Sequence, residues 1–373
     1  MEKLQRTTHF NSLKIKSQRY KNRILRKFAR VIDNGIFLNG QQTKKLTEKL
    51  LSFLDKKGYL TLVASGHDAL YLALSALKLT KDDEVIFPVN SYPTAFPICL
   101  SLAKPVPCDV NANGQLDPKE LIKKVNKKTK AIILVHLYGL VGDIEKIKDI
   151  ADKNNIVLIE DSAQAFGSKY KNQFAGTLGD IGCFSFYPTK NLGTLGDGGA
   201  IWTKDKKIFS YLKKAISYGE QKRYFSEFIS GHSRMPELQA AVLNIYLLTI
   251  NQEIEKRREV FCYFEKKLAR LNRWIRVLKS DEKSLPAPHL FVIEAKKRNQ
   301  LMKFLKNKGI ETHIHYSNPI HLLPAFSYLK YKRGDFPMAE RLSNHILSLP
   351  FHSFLKKREI DDIVKKIRNF YCN

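Results

Sequence analysis

Three short stretches of this chain gather residues that could do chemistry. Ser65-Gly66-His67-Asp68 follows the apolar run 60–64 and precedes leucines at 70, 74 and 77. Small residues at a strand-to-helix turn leave backbone N–H groups free, and the helix dipole adds positive potential, so the turn suits a phosphate. Many strand-to-helix turns look alike, so this stretch alone does not separate an anion site from an ordinary connection. Glu160-Asp161, with Gln164 close behind, ends the apolar run 156–159. Carboxylates there are costly unless partnered, and a helix N-cap at Asp161 is the plain alternative. Lys190 follows the run 182–186 in Tyr187-Pro188-Thr189-Lys190-Asn191, ahead of the glycine-rich segment 193–199. A poorly solvated lysine has a lowered pKa and offers a neutral amine for Schiff-base chemistry. A solvated loop lysine is the alternative.

Taken together, the three stretches are complementary. An anion-binding turn, a carboxylate and an amine each end a different strand, and pyridoxal phosphate requires that set. Its phosphate takes N–H donors, its ring nitrogen an acidic partner and its aldehyde a lysine.

The elements that must position them alternate along the chain. Runs at 60–64, 84–87, 105–107, 131–136, 156–159, 182–186 and 199–203 read as strands, several apolar without alternation, as strands covered on both faces are. Segments 68–77, 95–102, 118–124 and 144–154 read as helices between them. The alternation predicts an α/β fold, a mostly parallel sheet with helices on both sides. Beyond Pro236 one long helix or a broken pair spans 238–270. A smaller α+β unit follows, with a strand at 290–294 and helices at 300–308 and 360–370. The expected organisation is an N-terminal helical segment at 1–40, a large α/β domain at 41–245 and a small C-terminal domain at 246–373.

Composition sets outer limits. The 373 residues are 43% hydrophobic and 27% charged, as in ordinary globular proteins. The longest uncharged apolar stretch, 131–141, is too short to cross a membrane, so no membrane insertion is expected. The basic N-terminus has no apolar core of a secretory signal, and five scattered cysteines form no CxxC pair. A cytoplasmic setting without disulfides is the expectation. Lys and Arg number 64 against 36 Asp and Glu, a net +28. Such an excess can mark a polyanionic partner. The lysines, however, are dispersed in helical doublets, with no basic tail and no recognition module, so a nucleic-acid partner is not expected.

The segments VASGHDALYLALSAL, IVLIEDSAQAFGSKYKNQFAGTLGDIGCFSFYPTKNLGTLGDGGAIWT, SRMPELQAAVL and GIETHIHYSNPIHLLPAF closely resemble the DegT/StrS family of pyridoxal-phosphate-dependent nucleotide-sugar aminotransferases. The resemblance covers nearly the whole chain and implies the fold-type-I aminotransferase architecture and a homodimer with shared active sites. It implies that Lys190 is the Schiff-base lysine and Asp161 the partner of the ring nitrogen. Gln164 resembles the residue near the ring hydroxyl. Ser185 resembles the phosphate-binding serine, beside the backbone of Gly66, His67 and Asp68. Tyr92 stands where the family stacks an aromatic on the cofactor ring, and His315-Tyr316 where it lines the sugar pocket. Two departures stand out. His67 replaces a usual threonine. His232 replaces an asparagine that reaches the phosphate across the dimer, where an imidazole can donate the same hydrogen bond. His313 and His315 alternate on an expected strand, but no third ligand is spaced to complete a metal site, so no metal is expected.

The implied reaction aminates a nucleotide-linked keto-sugar, with glutamate or glutamine as donor. Two rivals stand beside it. One is a sugar dehydratase of the same family, whose members replace the lysine by histidine or add an iron–sulfur cluster; Lys190 and the absence of a cysteine cluster speak against both variants. The other is a cofactor-binding protein without catalysis.

Overall fold

A computed structural model describes residues 7–372; the first residues of the expected segment 1–40 lie outside them. The apolar runs become strands of one seven-stranded sheet. Its order is Tyr59–Val63, Gly199–Thr203, Ile181–Ser185, Val157–Asp161, Thr129–Val135, Glu84–Pro88 and Lys104–Cys108. Only Gly199–Thr203 runs against its neighbours; the other strands are parallel. Lys104–Cys108 carries Pro105 and Pro107 and lies at the sheet's edge, where a missing N–H breaks no ladder. Because the central strands share one direction, Val63, Val135, Asp161 and Ser185 all end at the same margin. Ligands bind beyond this margin in open parallel sheets.

Helix α3 (Gly66–Ser75) starts directly at that margin and buries Leu70, Leu72, Ala73 and Leu74 against the sheet. On the opposite face Ile144 and Ile147 of Ile144–Lys153 pack with Ile86, Ile132 and Leu158. Helices α1 (Leu13–Asn34) and α2 (Gln41–Leu54) pack on Glu237–Tyr246. The start of α2 is pinned there, since the buried Glu237 carboxylate accepts the N–H groups of Gly40 (3.1 Å), Gln42 (2.7 Å) and Thr43 (2.8 Å). A carboxylate at a helix N-terminus both caps it and meets the positive end of its dipole. Towards the C-terminus, Ile275–Val277, Phe291–Ala295 and Ile346–Leu349 form an antiparallel sheet. Ile250–Leu268, Arg298–Asn307 and Lys357–Cys372 bury Phe264, Leu301 and Ile363 around it.

Several expectations shift in detail. The region 238–270 is the broken pair, Glu237–Tyr246 and Ile250–Leu268, with a 3₁₀ turn at Leu247–Thr249. The Thr249 hydroxyl engages the Tyr20 hydroxyl at 2.8 Å at that break. Asp161 closes the strand Val157–Asp161 and is buried, so it caps no helix. The strand expected at 313–315 is a single bridge between His313 and Ser348, after which the chain turns. The helix Lys206–Ala215, capped by Asp205, and the strand Ile346–Leu349 are additional to the expected elements.

Candidate active site

At the carboxyl margin of the sheet lies a cavity of about 370 Å³. Its wall holds eight of the residues singled out from sequence: Gly66, His67, Asp161, Gln164, Ser185, Lys190, His315 and Tyr316. They come from four separate parts of the chain, the first three brought together at the sheet margin by the parallel register.

Asp161 is held by two donors. The Thr94 hydroxyl donates to Oδ2 at 2.8 Å and the Ala163 N–H to Oδ1 at 3.1 Å. Thr94 is itself buried and engages Ser91 Oγ at 2.7 Å, which fixes its rotor. Burial pushes the Asp161 pKa upward, while Thr94, Ala163, Lys190 and His136 pull it back. Burial also takes Lys190 down to about 8, against an upward pull from Asp161. An amine lowered this far has a substantial neutral fraction near neutral pH, as a nucleophile requires.

Next to Asp161, Glu160 serves structure. Its carboxylate accepts the N–H groups of Gly176 (2.8 Å), Leu178 (2.7 Å) and Gly179 (2.6 Å), and engages His136 Nε2 at 2.8 Å. His136 Nδ1 accepts the Gly142 N–H, so Nε2 carries the proton and donates to Glu160. This buried pair ties the strand bearing Asp161 to the turn leading into Ile181–Ser185. Gln164 is likewise oriented: its Oε1 accepts the Tyr138 N–H at 2.7 Å and its Nε2 donates to the Tyr316 hydroxyl at 3.3 Å.

The phosphate end fits an anion. Ser65 Oγ accepts the Asp68 N–H at 3.0 Å, leaving the first-turn N–H groups of Gly66 and His67 for a ligand. A Cβ at Gly66 would lie 2.5 Å from the Ser185 Cβ, so only glycine lets the helix start this close to Ser185. Asp68 itself faces Ser233, whose hydroxyl donates to its Oδ2 at 2.8 Å and accepts the Ala64 N–H at 2.9 Å. That network anchors the turn to the segment carrying His232. The donor set thus fits pyridoxal phosphate: free N–H groups and a hydroxyl at one end, a carboxylate and a depressed lysine at the other.

Three expected residues stand outside the cavity wall. Asp68 lies behind it in the network just described. Tyr92 is 44% exposed, with its ring 6.0 Å from Tyr316 and 5.1 Å from Phe96. His232 is exposed, accepts the Arg234 Nε–H at 3.0 Å and packs on Tyr218. Conversely, Thr94 and the cavity-lining His289 carry no motif. His289 precedes an apolar strand as a lone histidine, and its only signal was that position. His315 is fixed by Ser348 Oγ at 2.9 Å, and burial lowers its pKa to about 4.

The architecture and the site define a class: fold-type-I aminotransferases. Among solved structures, DesV of S. venezuelae, in complex with ketimine intermediate, superposes with a TM-score of 0.94 at 32% identity, covering 98% of each chain. A dTDP-3-amino-3,6-dideoxy-alpha-D-galactopyranose transaminase of Aneurinibacillus thermoaerophilus is 35% identical over 97% of this chain and 99% of its own. A "pleiotropic regulatory protein" of Geobacillus stearothermophilus is also 35% identical, over 95% and 96%. The DegT/DnrJ/EryC1/StrS aminotransferase family matches residues 18–368, and this chain belongs to it. Aminotransferases of this family are pyridoxal-phosphate enzymes.

Proposed function

We propose that the protein is a pyridoxal-phosphate-dependent transaminase that aminates a nucleotide-linked keto-sugar, with glutamate or glutamine as donor, as a homodimer. The observation that carries this reading is the meeting of a depressed lysine, Lys190, and a buried, doubly held carboxylate, Asp161, in one cavity. When bound, the cofactor supplies an aldehyde that takes up the amino group and a ring that draws electrons from the adjacent carbon. Gly66, His67 and Ser185 would hold the phosphate, and Asp161 would accept the ring N–H and keep it protonated. Gln164, locked by Tyr138, would orient the ring hydroxyl.

Lys190 Nζ is the proton carrier. As a free amine it would take the proton from the donor's α-carbon and carry it as a general acid–base group. The same transfer would run in reverse on the sugar. His315 and Tyr316 close the substrate side, and His315, neutral by burial, meets the sugar as a hydrogen-bonding partner without charge. Retention of Lys190 favours transamination over dehydration, and a fully equipped site favours catalysis over a regulatory role alone.

Two measurements test the reading. Borohydride reduction of cofactor-loaded protein and peptide mapping should place the cofactor on Lys190; attachment elsewhere, or none at saturation, overturns the assignment. Mass spectrometry of a panel of nucleotide-linked keto-sugars with glutamate or glutamine should show a product one amino group richer.

A further inference from the structure

Behind Lys190 lies a second cavity, of about 90 Å³. It shares Thr189, Lys190, His289, Leu290 and His315 with the first as a common wall, and the rest of its lining does not touch the cofactor cradle. Phe10, Asn11 and Ser12 roof it, held down by the Phe10 N–H on Glu311 Oε2 (2.8 Å) and the Phe351 N–H on the Phe10 carbonyl (3.2 Å).

Three features of its wall favour negative charge, and two neutral histidines add ring nitrogens that can donate. The 22-residue helix α1 begins here with no side-chain cap from Ser12 and no acidic residue in its first turn, so its dipole is uncompensated. Lys16, one turn in, has its ammonium on the Asn191 carbonyl (3.2 Å) and the Tyr246 ring face, and among the described residues no carboxylate lies within ion-pair distance. Arg257, 6% exposed, stands 3.4 Å from Glu253, whose oxygen already takes the Ser353 hydroxyl at 2.7 Å. His289 and His352, each 6% exposed and lowered in pKa by burial, leave Nδ1 without a partner among the described residues. Lys16 and Arg257 against Glu253 leave a net positive charge in an enclosed wall, which is costly without a counter-ion.

We infer that this cavity binds a small monovalent anion, a halide or a short carboxylate, between the start of α1, Lys16 and Arg257. The volume admits one such ion with water and excludes a sugar acid. An anion there would sit across one wall from Lys190 and favour its ammonium form. The groups that would hold the anion, the start of α1, Lys16 and Arg257, are ones the transaminase reading leaves unused, so the site stands or falls independently of that reading.

Bromide is the probe. Crystals of the full-length protein soaked in sodium bromide should show an anomalous peak in this cavity. Bromide should also raise Tm saturably, by about 2 °C over sodium gluconate at equal ionic strength. Gluconate is too large to enter. In Lys16→Met the bromide-specific shift should vanish. Water alone in the cavity of the wild-type crystal, or equal Tm in both salts, overturns the inference even if the variant fails to fold. Acetate competition separates the sources. Loss of the bromide peak supports a site open to carboxylates, and its persistence supports a halide site.

Discussion

Replacing Lys190 by methionine should make the cofactor-free protein more stable, and by an amount that depends on pH. Burial lowers the lysine from 10.5 to about 8, so holding its proton in the folded state costs free energy that the unfolded chain does not spend. Each pKa unit is worth about 1.4 kcal/mol, so the shift corresponds to about 3 kcal/mol. The sign follows from linkage. Below pH 8 both states are protonated and the full penalty applies. Between 8 and 10.5 the unfolded chain binds more protons, so stability rises with pH; above 10.5 the penalty is gone. Methionine keeps the length of the side chain without the charge. The variant should therefore exceed wild type by about 3 kcal/mol near pH 7, and by less than half of that at pH 9.5.

Urea unfolding of both apoproteins from pH 7 to pH 9.5, followed by circular dichroism, reads the difference directly. The pH dependence carries the test, since any change in packing adds a constant. A difference that stays flat across this range would falsify the depressed amine. A difference that moves in the variant's favour as pH rises would show that the ion attraction of Asp161 outweighs the loss of hydration.

Asp161→Asn should keep the fold, because an amide oxygen still accepts the Thr94 hydroxyl, while kcat falls by roughly a thousandfold, about 4 kcal/mol; near-normal turnover with cofactor bound would reduce Asp161 to a positioning role. Glu237→Ala strips three backbone N–H groups of their acceptor and should cost about 3 kcal/mol in denaturant unfolding, leaving cofactor affinity unchanged. Mixing Lys190→Ala with His232→Ala protein and allowing subunit exchange should restore about a quarter of wild-type activity, because half the dimers are mixed and each then holds one intact site of two. Confirmed exchange without recovery would confine His232 to its own subunit.

The parts of this site that were legible in sequence share one property: each sits within a few residues of a strand that an unbroken apolar run announces. Gly66, Asp161, Ser185 and Lys190 fall there, and the parallel register brings them to one margin. Thr94 and His289 fall outside that reach. They arrive from turns roughly 70 and 100 residues away along the chain, and only the folded contact to Asp161 or the cavity reveals them. His315 was noticed for an alternation that suggested a strand, whereas a single bridge to Ser348 and a hydroxyl contact hold it. Tyr92 and His232 are exposed and stand outside the cavity wall, Tyr92 packed beside Tyr316 and Phe96 and His232 on Tyr218.

The acid and the base of this site constrain each other. Burial drives Asp161 towards the protonated acid and Lys190 towards the free amine, and each one's charge opposes the other's neutralisation. Thr94 and Ala163 partly offset burial at Asp161, since both donate to the charged form, while the net direction stays upward. An anionic Asp161 opposes loss of the Lys190 proton, although burial outweighs that attraction and leaves the lysine lowered to about 8. A protonated ring nitrogen placed beside Asp161 would take over as its counter-charge, and Lys190 would then lose the interaction that holds its pKa up. The carboxylate would thus do two jobs with one charge. It would keep the ring protonated, and by doing so it would stop stabilising the ammonium of Lys190.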